Sequence, residues 1–365
     1  MVSMDMKPEI GGFFEFPSFD CRNPSESAYH YLVSHHSGHQ FVRDGRQALR
    51  AILIHLRRSG FRRAHVPAYL CSSILQAFHE LPLEIRFYGH SPPLAPHLPE
   101  PDARSMVFLL DHFGHPCCDD DMVTRMADNG VPVILDVTHS VLDRKRFAMQ
   151  HENLYFFASL RKVYPVPDGA IILHDRPSFP VPKEFPSGFS SMVEAMVLKK
   201  AYLEQCRKGV PGPEWIKEGF LHRYLEYEKG KENSPPPYQT IPALSLMILR
   251  NLTHSVIVRR RSRNLTYLAK NLPEAIEPLF PRDALMSPFF FPVKFKDMAR
   301  RDEVQTRLID HRVYPPVHWE LPRMIPASFE YEHRLSRSIL SLPIDQRYSP
   351  HDMERILKIL NKEIL

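Results

Sequence analysis

Ile134-Leu135-Asp136-Val137-Thr138-His139 is followed by Tyr155-Phe156-Phe157-Ala158-Ser159-Leu160-Arg161-Lys162-Val163-Tyr164-Pro165-Val166-Pro167-Asp168-Gly169-Ala170. An acid closes the first apolar run and a lysine closes the second. Short continuous apolar runs suit strands buried on both faces of a sheet. In such sheets ligands sit at the carboxyl ends of the strands, so Asp136 and Lys162 are placed to share one crevice. An acid and a lysine so disposed suggest pyridoxal phosphate chemistry.

Working outward, Ala64–Pro67, Ile85–Tyr88, Ser105–Leu110 and Val131–Val137 are further short apolar runs, alternating with helical patterns. From Gly45 to Gly60 the residues Ala48, Leu49, Ile52, Leu53 and Leu56 recur at helical spacing, and Gly60 is placed to cap the end. Asp119-Asp120-Asp121 can cap a helix ending at Asn129-Gly130. The alternation predicts an α/β fold, a three-layer α/β/α arrangement around a mainly parallel sheet. Asp111 to Gly114, Asp136 to His139 and the segment around Lys162 all follow expected strands and should converge.

After Asp175 the pattern turns helical and charged, and residues 232–238 read as a rigid proline-rich loop. A long helix is expected from Ala243 to Leu272, a strand over Phe289–Phe295, a helix over Arg301–Ile309 and a closing helix over Met353–Ile364. The expected division is an arm over residues 1–40, packing on the small domain or a partner, then a large α/β domain over 41–255 that binds the cofactor. A smaller α+β domain over 256–365 completes the chain.

The length of 365 residues exceeds what one core supports, in keeping with two domains. Hydrophobic content of 43% and charged content of 24% are those of a globular protein. The net charge of +5 is too small to argue for nucleic acid, and Arg43, Arg46, Arg50, Arg57, Arg58, Arg62 and Arg63 read first as a solvated helix face. Cys21, Cys71, Cys117, Cys118 and Cys206 form no C-x-x-C pair, which excludes the usual zinc and disulfide patterns and fits a reducing cytoplasm. No apolar run reaches membrane-span length, the first residues lack a signal-peptide core, and no G-x-G-x-x-G points to a dinucleotide.

The residue chemistry follows from this placement. A lysine can condense with an aldehyde cofactor and, once released, carry a proton, which makes Lys162 the candidate. Ser159 and the proline-rich turn with Gly169 suit a loop that meets a phosphate through a hydroxyl and backbone N–H groups. Asp136 at a buried strand end can keep a pyridine nitrogen protonated. Taken singly, Lys162 reads as a surface lysine, Asp136 as a turn cap and His139 as a structural histidine.

From about Asp44 onward the chain resembles the fold-type I, pyridoxal-phosphate-dependent sugar aminotransferases of the DegT/StrS group. Asp44-Gly45-Arg46-Gln47-Ala48-Leu49 resembles that family's Gly-Thr-x-Ala-Leu helix, implying phosphate binding at Gly45 and Arg46. Val66-Pro67-Ala68-Tyr69-Leu70-Cys71-Ser72-Ser73 resembles its Val-Pro-Ser segment, implying cofactor contacts at Ser72 and at Cys71, with Tyr69 as a substitute aromatic. Asp136-Val137-Thr138-His139 resembles Asp-Ala-Ala-His, implying the pyridine nitrogen for Asp136 and the 3-hydroxyl for His139, and Lys162 falls on the Schiff-base lysine. Arg259 to Leu265 resembles the arginine-rich helix, and Leu340 to Asp345 the closing Leu-Ser-Leu-Pro segment. Tyr314 to Trp319 resembles the substrate-side segment that carries His318. Pro237-Tyr238-Gln239 stands where the family carries Asn-Tyr-Arg, which leaves Tyr238 as the substrate-side residue there.

The resemblance implies a homodimer with its active site at the interface. It also implies transfer of an amino group from an amino-acid donor to a keto acceptor, a nucleotide-linked keto sugar in polysaccharide or secondary-metabolite biosynthesis. A pyridoxal-phosphate lyase and a non-catalytic binding protein of the same fold remain open. The desulfurase subclass is disfavoured, because no cysteine follows Cys206.

Overall fold

Seven strands form the central sheet: β1 His39–Val42, β2 Arg63–Pro67, β3 Glu84–Tyr88, β4 Ser105–Leu110, β5 Val133–Asp136, β6 Leu154–Ser159 and β7 Ala170–Leu173. This is a computed structural model that describes residues 8–364 apart from 35, 147–148, 176–178, 180–181, 183, 186–187, 211–213, 233–237 and 285–286. The strands lie in the order β1-β7-β6-β5-β4-β2-β3. β7 is antiparallel to both neighbours, so the other six strands share one direction and one carboxyl edge. Every residue of β4, β5 and β7 is buried, and apart from Ser105 and Asp136 at two of the strand ends these segments are apolar.

The strand period of two divides the core between the faces. Val107, Leu109, Val133, Leu135 and Phe156 point to one side, and Phe108, Leu110, Ile134, Tyr155 and Phe157 to the other. Helices α1 Gly45–Arg58 and α2 Ser72–His79 cover the second face. Helix α3 Asp120–Asp128 lies on the first. Asp44 caps α1 by accepting from the Gln47 N–H at 3.1 Å, and Gly60 follows the helix at φ +105°. Asp119 occupies the cap position of α3, but its side chain makes no cap bond.

Two long helices, α4 Ser190–Arg207 and α5 Glu214–Glu232, form a hairpin held by Tyr202, Leu203, Ile216 and Phe220. Most of the proline-rich loop expected after it, residues 233–237, lies outside the described residues. The single helix expected from Ala243 to Leu272 is instead two, α6 Ala243–Arg250 and α7 His254–Asn271. The break is stabilised by the N-terminal segment, which takes up its backbone groups. Asp20 and Cys21 donate to the Asn251 carbonyl, Ala28 donates to that of Leu252, and the Asp20 carboxylate accepts from the Thr253 N–H at 2.8 Å. α6 thereby turns Ile248 and Leu249 onto the sheet.

Strands β8 Glu277–Pro278, β9 Phe290–Lys294 and β10 Ile339–Pro343 make a separate antiparallel sheet. Helices α8 Met298–Asp310 and α10 Pro350–Ile364 bury Val304, Leu308, Met353 and Leu360 in its core, and α9 Glu330–Ser338 leads into β10. Helix α7 serves both cores, with Ile257 in the first and Leu268 in the second. Near the N-terminus, Ile10–Gly11 pairs in parallel with Val313–Tyr314.

The turn from β6 to β7 depends on Gly169. Its φ is +148°, and an added Cβ would lie 2.8 Å from Ile241 Cδ1. Gly169→Ala is expected to cost roughly 1–3 kcal/mol, read as a lower urea midpoint at unchanged slope. Gly230→Ala, at a helical site with nothing within 4 Å of the added Cβ, should not lower the midpoint.

Candidate active site

A cavity of about 540 Å³ opens at the carboxyl ends of β5 and β6. Of the residues singled out from the sequence, Gly45, Arg46, Cys71, Ser72, Asp136, Ser159 and Lys162 line it. They come together because β1, β2, β5 and β6 end at one edge, so the following residues meet there from four points in the chain.

Asp136 ends β5 and is 5% exposed. Its Oδ1 accepts from the Thr138 N–H at 2.9 Å, and Thr138 Oγ1 accepts from the Ser159 N–H at 3.0 Å. Burial raises the carboxyl pKa above the ordinary range, outweighing the Thr138 hydrogen bonds and the charge of Lys162. The carboxylate is therefore short of a counter-charge that a cationic ring N–H would supply. Gly45 packs on Ser159, where an added Cβ would lie a tight 3.2 Å from Ser159 Cβ, and both residues line the cavity. Helix α2 starts at the same cavity with Ser72, and Cys71 Sγ lies 3.0 Å from Ser73 Oγ.

Behind the start of α1 lies a buried ion cluster. Asp168 is wholly buried and faces Arg43 Nε and Lys231 Nζ, each at 3.3 Å, while Asp44 Oδ2 lies 3.5 Å from Lys231 Nζ. Burial raises the Asp44 pKa, but Lys231, the Gln47 N–H, Arg46 and Arg43 overcome it and leave it lowered. Arg46 donates to Gln76 Oε1 at 2.7 Å and to the Lys231 carbonyl at 2.9 Å. The arginine cluster is thus not one solvated face. Arg58 and Arg62 are exposed, whereas Arg43 is buried and Arg46 lines the cavity.

His139 and Tyr69 are absent from the lining. His139 Nδ1 accepts from the Phe113 N–H at 3.1 Å, which leaves the ring proton on Nε2. Its ring stacks on Phe289 at 3.9 Å and lies 5.6 Å from that of Trp319, and burial with the charge of Lys162 holds its pKa well below the usual value. Tyr69 is buried with Phe113 and Leu335, and its hydroxyl donates to the His318 carbonyl. Its place as a cavity aromatic is taken by Trp319, one of two tryptophans in the chain. Tyr238 packs on the core of the main sheet away from the cavity, because the adjacent Gln239 is tied down by Gln47 and Arg43. His318 lines a second cavity on the other side of Lys162, with Nδ1 2.9 Å from Ser341 Oγ.

Arg161, Glu228, Lys231 and Trp319 also line the first cavity and were not singled out from the sequence. Arg161 shares its position in the motif with Lys162 and was legible in principle. Glu228 and Lys231 come from α5, far along the chain, and carry no local signal.

No protein-family model matches the chain, and no curated protein does. Solved structures do match. An aminotransferase TlmJ from Streptoalloteichus hindustanus is 15% identical, with 98% of this chain and 99% of that chain covered and a TM-score of 0.60. DesI, solved in the presence of its TDP-sugar product, is 15% identical over 95% of this chain and 86% of that one, with a TM-score of 0.62. Spr1654 from Streptococcus pneumoniae, in its PLP form, is 9% identical over 97% and 94%, with a TM-score of 0.58. The chain has the fold of these aminotransferases. Its mainly parallel sheet and smaller C-terminal sheet are those expected from the sequence.

Burial lowers the pKa of His112 to about 3, with help from the charge of His90, and that of His318 to about 3, with help from Lys162. Both are neutral when folded and titrate near 6.5 when unfolded. Between those values the unfolded chain binds more protons, so stability is full above about pH 6.5 and is lost as the pH falls towards 3. Urea midpoints across that window should drop steadily, and His318→Gln should flatten the slope.

Proposed function

We propose that the chain is a pyridoxal 5'-phosphate-dependent aminotransferase that moves an amino group from an amino-acid donor to a keto acceptor. The observation that carries this reading is Lys162, which lines one cavity together with the under-compensated Asp136, Gly45 and Ser159. When bound, the cofactor supplies an electron sink for the carbon that gains or loses the amine.

The residues divide the work by position. Lys162 Nζ attaches the cofactor and carries the proton at the reacting carbon. Asp136 holds the ring nitrogen protonated, and the charged pair that results relieves the penalty of its own burial. His139 keeps a neutral ring with its proton on Nε2, but it lies outside the lining of this cavity and is given no contact with the cofactor. The start of α1 at Gly45 and Arg46, with the Ser159 hydroxyl, receives the phosphate through N–H groups and the helix dipole. Cys71 and Ser72 form the wall at the start of α2, and Trp319 offers the flat apolar surface that a pyridine ring needs.

A homodimer belongs to the same reading. Leu221 and Leu225, one helical turn apart on α5, are 41% and 54% exposed. No helix among the described residues is long and apolar enough to cross a membrane. The cytoplasmic reading rests on five unpaired cysteines.

Lys162→Ala should abolish covalent attachment of the cofactor and leave the circular dichroism spectrum unchanged. Borohydride reduction followed by intact-mass measurement checks this. A reduced adduct retained in the variant would remove Lys162 from its role.

A further inference from the structure

Cys117 and Cys118 are adjacent in the chain and both half-buried, with their sulfurs 3.7 Å apart. They lie on the loop that follows β4, and a buried ion pair fixes their backbone. The Cys117 N–H donates to Asp111 Oδ1 at 3.0 Å. The buried guanidinium of Arg146 donates through Nη1 to the Cys118 carbonyl at 3.3 Å and through Nη2 to Cys117 Sγ at 3.5 Å. Its Nε and Nη2 also donate to Asp111, at 2.9 and 2.8 Å, and Asp111 Oδ2 accepts from Ser140 Oγ at 2.6 Å.

Two thiols in contact beside a guanidinium do not hold their protons equally. The hydrogen bond with Cys117 lowers the pKa of Cys118, and the charge of Arg146 adds to it against the cost of burial. The same hydrogen bond, burial and the charge of Asp111 raise that of Cys117. Cys118 is therefore the first to ionise, and Cys117 is the thiol that donates to it. A thiolate that solvent can reach is the form of cysteine that oxidants attack, and a second thiol in contact with it diverts the product to a disulfide. The remaining cysteines lack this arrangement. Cys21 Sγ donates to the Asn23 carbonyl at 3.0 Å, and Cys71 and Cys206 are buried.

We propose that Cys117 and Cys118 are a redox pair, oxidised reversibly to a disulfide by hydroperoxides. The Cys118 thiolate attacks an oxygen of the hydroperoxide, the O–O bond breaks, and the departing oxygen takes a proton from solvent to leave as water or an alcohol. Cys118 is then a sulfenic acid. The Cys117 sulfur attacks the Cys118 sulfur, so the S–S bond forms and the S–O bond breaks, and the hydroxyl leaves with the Cys117 proton as water. The two thiols lose two electrons and the hydroperoxide gains them. The sulfurs close from 3.7 Å to about 2.05 Å. Small thiols reverse the step by exchange, becoming a disulfide themselves, so in a reducing compartment the bond lasts only while oxidant is present. Through Asp111 the pair is two hydrogen bonds from Ser140, the neighbour of His139, which ties it to the segment that follows β5.

The test is treatment of the full chain with hydrogen peroxide, then iodoacetamide, then tryptic digestion and mass spectrometry. The tryptic peptide over residues 105–125 holds these two cysteines and no other. In wild type that peptide should lose two hydrogens and take up no iodoacetamide, and a dithiol reductant should restore both alkylation sites. Cys117→Ser removes the second thiol, so the Cys118 sulfenic acid should persist and be trapped by dimedone. In Cys118→Ser, burial and Asp111 still hold Cys117 protonated, and dimedone labelling should fall by about tenfold relative to Cys117→Ser. Two iodoacetamide groups on the wild-type peptide after peroxide, a disulfide that joins two molecules, or equal dimedone labelling in the two variants would overturn the proposal.

Discussion

Three distant parts of the chain meet at the wholly buried carboxylate of Asp168. Arg43 reaches it from the end of β1, Lys231 from the last turn of α5, and Asp168 itself sits in the turn between β6 and β7. Charges so deep in a protein persist only when paired, because removing one partner leaves the other uncompensated in a medium of low dielectric. Lys231 is shared with Asp44, the cap of α1, so the same cluster fixes the helix start that faces the cavity. The position of that start, the course of the turn after Lys162 and the docking of the α4–α5 hairpin are therefore one linked arrangement.

The turn that begins at Leu160 lies between the two cavities. Its two side chains at Arg161 and Lys162 border both cavities, with Asp136 on one side and His318 on the other. Burial, with the nearby Lys162, lowers the pKa values of His139 and His318, while burial raises that of Asp136.

The parallel sheet and the residues at its edge were legible because strands buried on both faces must be apolar throughout. The polar residue that ends such a run, Asp136 or Ser159, is conspicuous for that reason. Gly45 and Asp44 were legible because a helix start has its own chemistry. The two helices α6 and α7 were not separable, since Asn251-Leu252-Thr253 contains no proline or glycine. The break depends on acceptors and donors supplied by residues 20–28. Tyr69 was the natural candidate for the cavity aromatic by its position in the chain, and the structure puts Trp319 there.

The sequence by itself determined the layers of the fold, the edge at which a ligand site forms, and the acid and lysine that face each other across it. Periodicity and strand-end polarity are local properties that survive in any environment. Tertiary structure alone decided the rest: Arg43 buried instead of solvated, Trp319 in place of Tyr69, Tyr238 packed against the core, and Glu228 and Lys231 brought in from α5. Each of those outcomes turns on which long-range partner satisfies a buried charge or fills a gap, and no window of sequence contains that partner.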